Sequence, residues 1–141
     1  MNFQSYFPLI GRILLSLTFF YGGTKNLLNY QATRDGIAGM LPFPDLALIG
    51  NIICCLLGAI SLVLGFKIRW GATLLIIFLI PTNVIFHNFL ADPQETIPFL
   101  KNLGFIGAMF YIVYFGAGPA SLDRKSTPDF DQDYTYARRE L

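Results

Sequence analysis

The chain has 141 residues, of which 54% are hydrophobic and only 13% are charged. Because an average globular protein carries about 25% charged residues, this composition excludes an ordinary water-soluble domain. The net charge of +1 gives no basic excess that would indicate nucleic acid as a partner. The sequence predicts a single-domain integral membrane protein whose surroundings are a lipid bilayer.

Four apolar segments are long enough to cross a membrane. Residues 46–66, 70–91 and 102–122 contain no charged side chain, and residues 6–24 contain only Arg12. Each segment approaches or exceeds the roughly 20 residues that a transmembrane helix needs. We therefore predict an all-α fold, an integral membrane four-helix bundle, with spans at residues 6–26, 46–65, 70–90 and 99–115.

The first span and the loop after it carry two further expectations. Arg12 lies about two turns from the start of the span, so its side chain is expected to snorkel to the lipid head groups. The loop 29–45 mixes apolar side chains with glycine and proline. This mixture favours a short helix or turn that lies in the membrane interface between spans one and two.

The later spans show packing and turn signals. Small residues at near-helical spacing in span two predict a packing face, namely Gly50, Cys54, Gly58 and Ser61. Pro81 should kink span three. Asp92, Pro93 and Glu95 have the pattern of a helix start and predict a single short turn before span four. Residues 1–120 thus form the membrane domain, and the polar residues 121–141 are expected to be a disordered cytoplasmic tail.

Basic residues predict the orientation. Arg12, Lys67 and Arg69 fall on the side that both termini share, and cytoplasmic segments are enriched in Lys and Arg. We expect an inner (plasma) membrane protein with both termini in the cytoplasm.

The opposite side collects uncharged and cationic polar residues from three spans. These candidate ligand-binding residues are Tyr21, Lys25, Asn26, Asn83, His87, Asn88, Lys101 and Asn102. Their amide, imidazole and ammonium groups are suited to hydrogen-bond carbonyl oxygens such as those of a quinone ring. The alternative is that they satisfy frayed helix ends and anchor the spans at the head groups.

Catalytic residues are not evident. His87 is the only histidine and has no cysteine or carboxylate at ligand spacing, so no metal site is predicted. No Asp or Glu lies inside a span, which disfavours a proton-coupled transporter. Cys54 and Cys55 are neighbours in a helix and are interpreted as small apolar side chains.

Six segments resemble the DoxX family of small membrane proteins. They are GRILL (11–15), YGGTK (21–25), LGFKIRWGA (64–72), IFHNF (85–89), FLKNL (99–103) and GPASLD (118–123). The positions that carry the match are Arg12, Lys25, Arg69, His87, Asn88, Lys101 and Asn102. The resemblance covers about residues 5–123. Cys55 stands where many relatives have a glutamate, so a role of that carboxylate is not implied here.

This resemblance implies a four-helix inner-membrane bundle associated with quinone- or thiol-linked redox complexes. The leading hypothesis is an accessory subunit of such a complex, not catalytic by itself, with redox partner subunits and quinone as a ligand. The alternatives are a structural or assembly protein without a small-molecule site and, less favoured, a small transporter. Association between copies of the chain is left open.

Overall fold

The structure, a computed structural model, describes residues 3–123. It contains five α-helices: α1 Phe7–Leu28, α2 Tyr30–Ile37, α3 Pro44–Leu64, α4 Ile68–Phe86 and α5 Thr96–Phe115. Short 3-10 turns at Phe3–Tyr6 and Pro93–Glu95 precede α1 and α5. No strand occurs within these residues. The disorder expected for residues 124–141 lies outside the described part of the chain.

Four helical segments are long and apolar enough to span a membrane: Phe3–Leu28, Pro44–Leu64, Ile68–Phe86 and Pro93–Phe115. The predicted all-α membrane bundle is therefore confirmed. The short helix expected between spans one and two is α2. Helix α4 continues through Pro81 and ends at Phe86, short of the predicted end at residue 90.

The long helices pack in the order α1, α3, α4 and α5, and α2 packs on α3. The core contains Phe19, Ala59, Leu62, Leu75, Leu79, Ile106 and Met109. Helices α3 and α4 approach closely at two glycines. A Cβ at Gly58 would collide with Leu75, and a Cβ at Gly71 would collide with Ser61. The predicted packing face of span two thus meets α4 at Gly58 and Ser61, whereas Gly50 faces open space.

Successive long helices run in opposite directions, so the bundle has two unlike ends. The end that carries α2 and His87 is called the α2 end, and the opposite end is called the Arg12 end. The Arg12 end contains the α3–α4 turn, where Gly65 and Lys67 adopt left-handed backbone with φ of 60° and 47°.

The prediction that Arg12 snorkels to the lipid head groups is wrong. Arg12 is 3% exposed, and its guanidinium donates to the backbone oxygens of Leu62 at 3.3 Å, of Pro8 and of Ala120. The carbonyl of Leu62 belongs to the last turn of α3, whose oxygens have no helical partner and carry the negative end of the helix dipole. These acceptors favour the bundle interior over the head groups for this cation.

Residues after α5 return to the same turn. The backbone N–H groups of Lys67 and Ile68 donate to the two carboxylate oxygens of Asp123 at 2.8 and 2.9 Å. The N–H of Asp123 donates to Gly65 O at 2.9 Å. Asp123 therefore caps α4, although the sequence assigned residue 121 onward to a tail.

Candidate functional site

The eight polar residues expected to form one cluster all lie at the α2 end, but they differ in burial and fall into three groups. Tyr21, Lys25, Asn88 and Lys101 are exposed on its surface. Asn83 and Asn102 are buried between helices, while Asn26 and His87 are half-buried. The other predicted group, Arg12, Lys67 and Arg69, lies at the opposite end of the bundle.

His87 has an acidic partner that the sequence analysis missed. It is the C-terminal cap of α4, and its Nδ1 lies 2.7 Å from Glu95 Oε2 in the turn before α5. Both side chains are about one-third exposed, at 30% and 34%. Asp92, Pro93 and Glu95 predicted the turn that carries Glu95, and the 3-10 helix Pro93–Glu95 confirms it. Only the fold shows that this turn brings Glu95 to His87.

Two amide side chains are buried near the same end, Asn83 on α4 and Asn102 on α5. Asn83 is 3% exposed, and its Nδ2 donates to the backbone oxygen of Phe99 at 3.2 Å. Its Oδ1 is buried without a hydrogen-bond partner within the described residues. Asn102 is 8% exposed and follows Phe99 by one helical turn on α5. An unpaired buried oxygen is destabilising, so Asn83 is a costly residue at this position.

Helix α2 is fixed over the start of α3 by a polar contact. Tyr30 Oη and Arg34 Nε both donate to Asp45 Oδ1, at 2.9 and 2.8 Å. Burial and the hydrogen bond to Asp45 raise the pKa of Tyr30, so its hydroxyl remains a donor. The hydrogen bond to Asp45 raises the pKa of Arg34. These bonds hold α2 on the first turn of α3.

A cavity of about 480 Å³ lies beneath α2, between α3 and α4. Its wall is mostly aliphatic and aromatic, and its polar side chains are Thr33, Asn51, Cys54, Thr82 and His87. This volume lies within the roughly 300–1,000 Å³ of typical ligand pockets, which combine an apolar wall with a few placed polar groups. The cavity is the candidate functional site of this protein.

Only part of this site was apparent in the sequence. His87 was predicted, whereas Asn51, Thr82 and Thr33 were not, because isolated amides and hydroxyls in a span have no distinctive pattern. Asn51 also accepts a hydrogen bond from Cys55 Sγ at 3.4 Å, one turn further along α3. The other seven candidate ligand-binding residues all lie outside the cavity wall.

The polar groups that line the cavity are amide, hydroxyl, thiol and imidazole groups. Within residues 3–123, no group of three or more His, Cys, Asp or Glu side chains is arranged to hold a metal ion. Cys54 and Cys55 are both free thiols. The cavity thus combines amide, hydroxyl and imidazole groups with a largely apolar wall.

Comparison with known proteins gives a consistent set of relatives. The DoxX family model matches residues 7–88. Inner membrane protein YphA of Escherichia coli is 33% identical over 123 residues, which cover 83% of this chain and 88% of that protein. Inner membrane protein YqjF of the same organism is 29% identical over 122 residues, with coverage of 82% and 88%.

A eukaryotic relative is much longer than this chain. The Surfeit locus protein 4 homolog of Schizosaccharomyces pombe is 28% identical over 131 residues, which cover 88% of this chain but only 39% of that protein. No solved structure matches the chain.

Proposed function

This chain belongs to the DoxX family of membrane proteins, and from that premise we propose that it is an accessory subunit of a membrane redox complex that holds a quinone beneath α2. The observation that carries this proposal is the cavity of about 480 Å³ with a mostly apolar wall and a few polar side chains. A quinone matches this chemistry because it joins an apolar ring and chain to two carbonyl oxygens.

The polar groups of the cavity have defined roles in the proposal. Nδ1 of His87 donates to the Glu95 carboxylate, and Nε2 donates to a carbonyl oxygen of the ligand when the ring carries both protons. The hydroxyl of Thr82 donates within its own helix to Phe78 O at 2.8 Å and retains its oxygen as an acceptor. The amide nitrogen of Asn51 is a further donor. His87 and Asn51 are therefore the side chains that bind the quinone carbonyl oxygens.

The side chains of the cavity support an accessory role. Its side chains provide hydrogen bonds and an apolar surface, and electrons would come from a partner subunit. The relatives named as inner membrane proteins support the same location for this chain. Lys67 and Arg69 support a cytoplasmic Arg12 end, since cytoplasmic segments are enriched in basic residues.

Ligand-dependent thermal unfolding tests the quinone site. Purified protein in a mild detergent is titrated with a short-chain, soluble quinone, and Tm is measured. A ligand that binds only the folded protein raises Tm, so we expect a saturable increase. His87→Ala should reduce the increase without abolishing folding.

A pair of glycine variants locates the binding site. Gly50 lines the cavity, and a Cβ at this position meets no atom within 4 Å, so Gly50→Leu should fill the cavity without a clash. Gly104→Leu is the matched control, because Gly104 is also in open space and lies outside the cavity wall. The Tm increase should vanish in Gly50→Leu and persist in Gly104→Leu. No increase in the parent protein, or an unchanged increase in Gly50→Leu, would overturn the proposal.

A further inference from the structure

A second concave surface lies at the Arg12 end, far from the cavity beneath α2. It is a groove of about 360 Å³ between α1 and α5, lined by Pro8, Gly11, Arg12, Leu15, Ile112 and Gly116, among others. Its wall is largely apolar. A Cβ at Gly11 would meet no atom within 4 Å, so the groove is open along this side of α1.

The groove contains a buried cation. Arg12 donates three of its five N–H groups to backbone oxygens, and no carboxylate of residues 3–123 lies within ion-pair distance of its guanidinium. The Asp123 carboxylate attracts Arg12 electrostatically from beyond ion-pair distance. Both of its oxygens accept hydrogen bonds from backbone N–H groups at the start of α4. A buried cation that has no close counter-ion among these residues attracts an anion strongly, because little water screens it.

A second cation stands at the rim. Arg69 Nη2 donates to Tyr114 O at 3.5 Å, and a Cβ at Gly116 would lie 3.9 Å from the same nitrogen. Gly116 itself lines the groove. Arg12 therefore lines the groove and Arg69 lies beside it at Gly116. The rest of the groove wall is largely apolar.

We propose that this groove binds an anionic phospholipid of the surrounding bilayer. Its phosphate accepts hydrogen bonds from Arg69 at the rim and is attracted by the buried charge of Arg12, and one acyl chain follows the groove past Leu15 and Ile112. Charge complementarity selects the phosphate, because arginine donates paired hydrogen bonds to phosphate oxygens. The apolar wall and the position of the groove on a transmembrane bundle select a ligand with an acyl chain.

Lipid-dependent thermal stability tests this proposal. The purified protein in a neutral detergent is titrated with phosphatidylglycerol, with phosphatidylcholine of the same chains, and with soluble glycerol phosphate. We expect phosphatidylglycerol alone to raise Tm, saturably and by about 5 °C. An equal increase with phosphatidylcholine would refute selection of the anion, and an equal increase with glycerol phosphate would refute the acyl-chain site.

Two pairs of variants locate the lipid and leave Arg12 unchanged. Gly11→Leu fills the groove, and Gly22→Leu is its matched control on the same helix, also in open space and outside the groove. The phosphatidylglycerol effect should be lost in Gly11→Leu and kept in Gly22→Leu. Arg69→Gln should weaken the apparent affinity about tenfold, whereas Lys101→Gln at the α2 end should not change it. A full effect in Gly11→Leu would overturn the proposal.

Discussion

His87 Nδ1 lies 2.7 Å from Glu95 Oε2, so the C-terminal end of α4 is joined to the turn that begins α5. The contact places an acidic group beside the only histidine of the chain, at the wall of the cavity beneath α2. The His87–Glu95 pair thus joins the loop between α4 and α5 to the candidate ligand site.

The His87–Glu95 contact should contribute modestly to stability. A double-mutant cycle with His87→Ala and Glu95→Ala is expected to give a coupling energy of about 0.5–1 kcal/mol, because both side chains are partly exposed. The free energy of unfolding is measured by SDS titration in mixed micelles. The cycle of Glu95→Ala with Lys101→Ala, whose side chain is exposed, should be additive. Additivity of the His87 cycle would contradict the contact.

Asn83→Leu should preserve or increase stability. The substitution keeps the branched shape of the side chain and removes the unpaired Oδ1, which offsets the lost hydrogen bond from Nδ2 to Phe99 O, so the free energy of unfolding should change by less than about 1 kcal/mol or rise. Asn83→Asp is the contrasting variant, since a buried carboxylate without a partner should cost more than about 2 kcal/mol. The same SDS titration measures both. A large loss in Asn83→Leu would reveal a hydrogen bond that Oδ1 makes in the membrane.

Gly58→Ala should weaken the α3–α4 contact. A methyl group at Gly58 would collide with Leu75, which is fully buried, and overpacking of this kind costs about 1–3 kcal/mol. Gly107→Ala on α5 is the control, because its Cβ meets no atom within 4 Å. It should be neutral or stabilising by up to about 1 kcal/mol. Equal effects of the two substitutions would argue against the close helix approach.

Asp123→Ala should destabilise the Arg12 end. It removes the acceptor of two N–H groups at the start of α4, and the loss of such a cap costs about 1–2 kcal/mol. Amide hydrogen exchange should increase at Lys67 and Ile68 and remain unchanged in α2. Asp35→Ala, on the exposed side of α2, should change the free energy of unfolding by less than about 0.5 kcal/mol. Unchanged exchange at Lys67 would contradict the cap.

The sequence by itself determined the four spans, the all-α class and the family. Charge-free segments of bilayer length permit few other structures, because every backbone polar group in lipid needs an internal partner. The pattern around Asp92 likewise predicted a short turn, since capping depends on neighbouring residues alone. Such local features are readable because one helix or turn contains all the groups that they require.

The tertiary structure decided what faces what. Position along a span gives the depth of Arg12, but only the packing of α1 on α3 and on the segment after α5 shows that Leu62 and Ala120 offer their carbonyls in the interior. For the same reason, the sequence did not predict the contacts of His87 with Glu95 and of Lys67 with Asp123. Depth is a property of one helix, whereas a cavity, a groove or a cap between distant segments depends on the rotation of each helix against its neighbours.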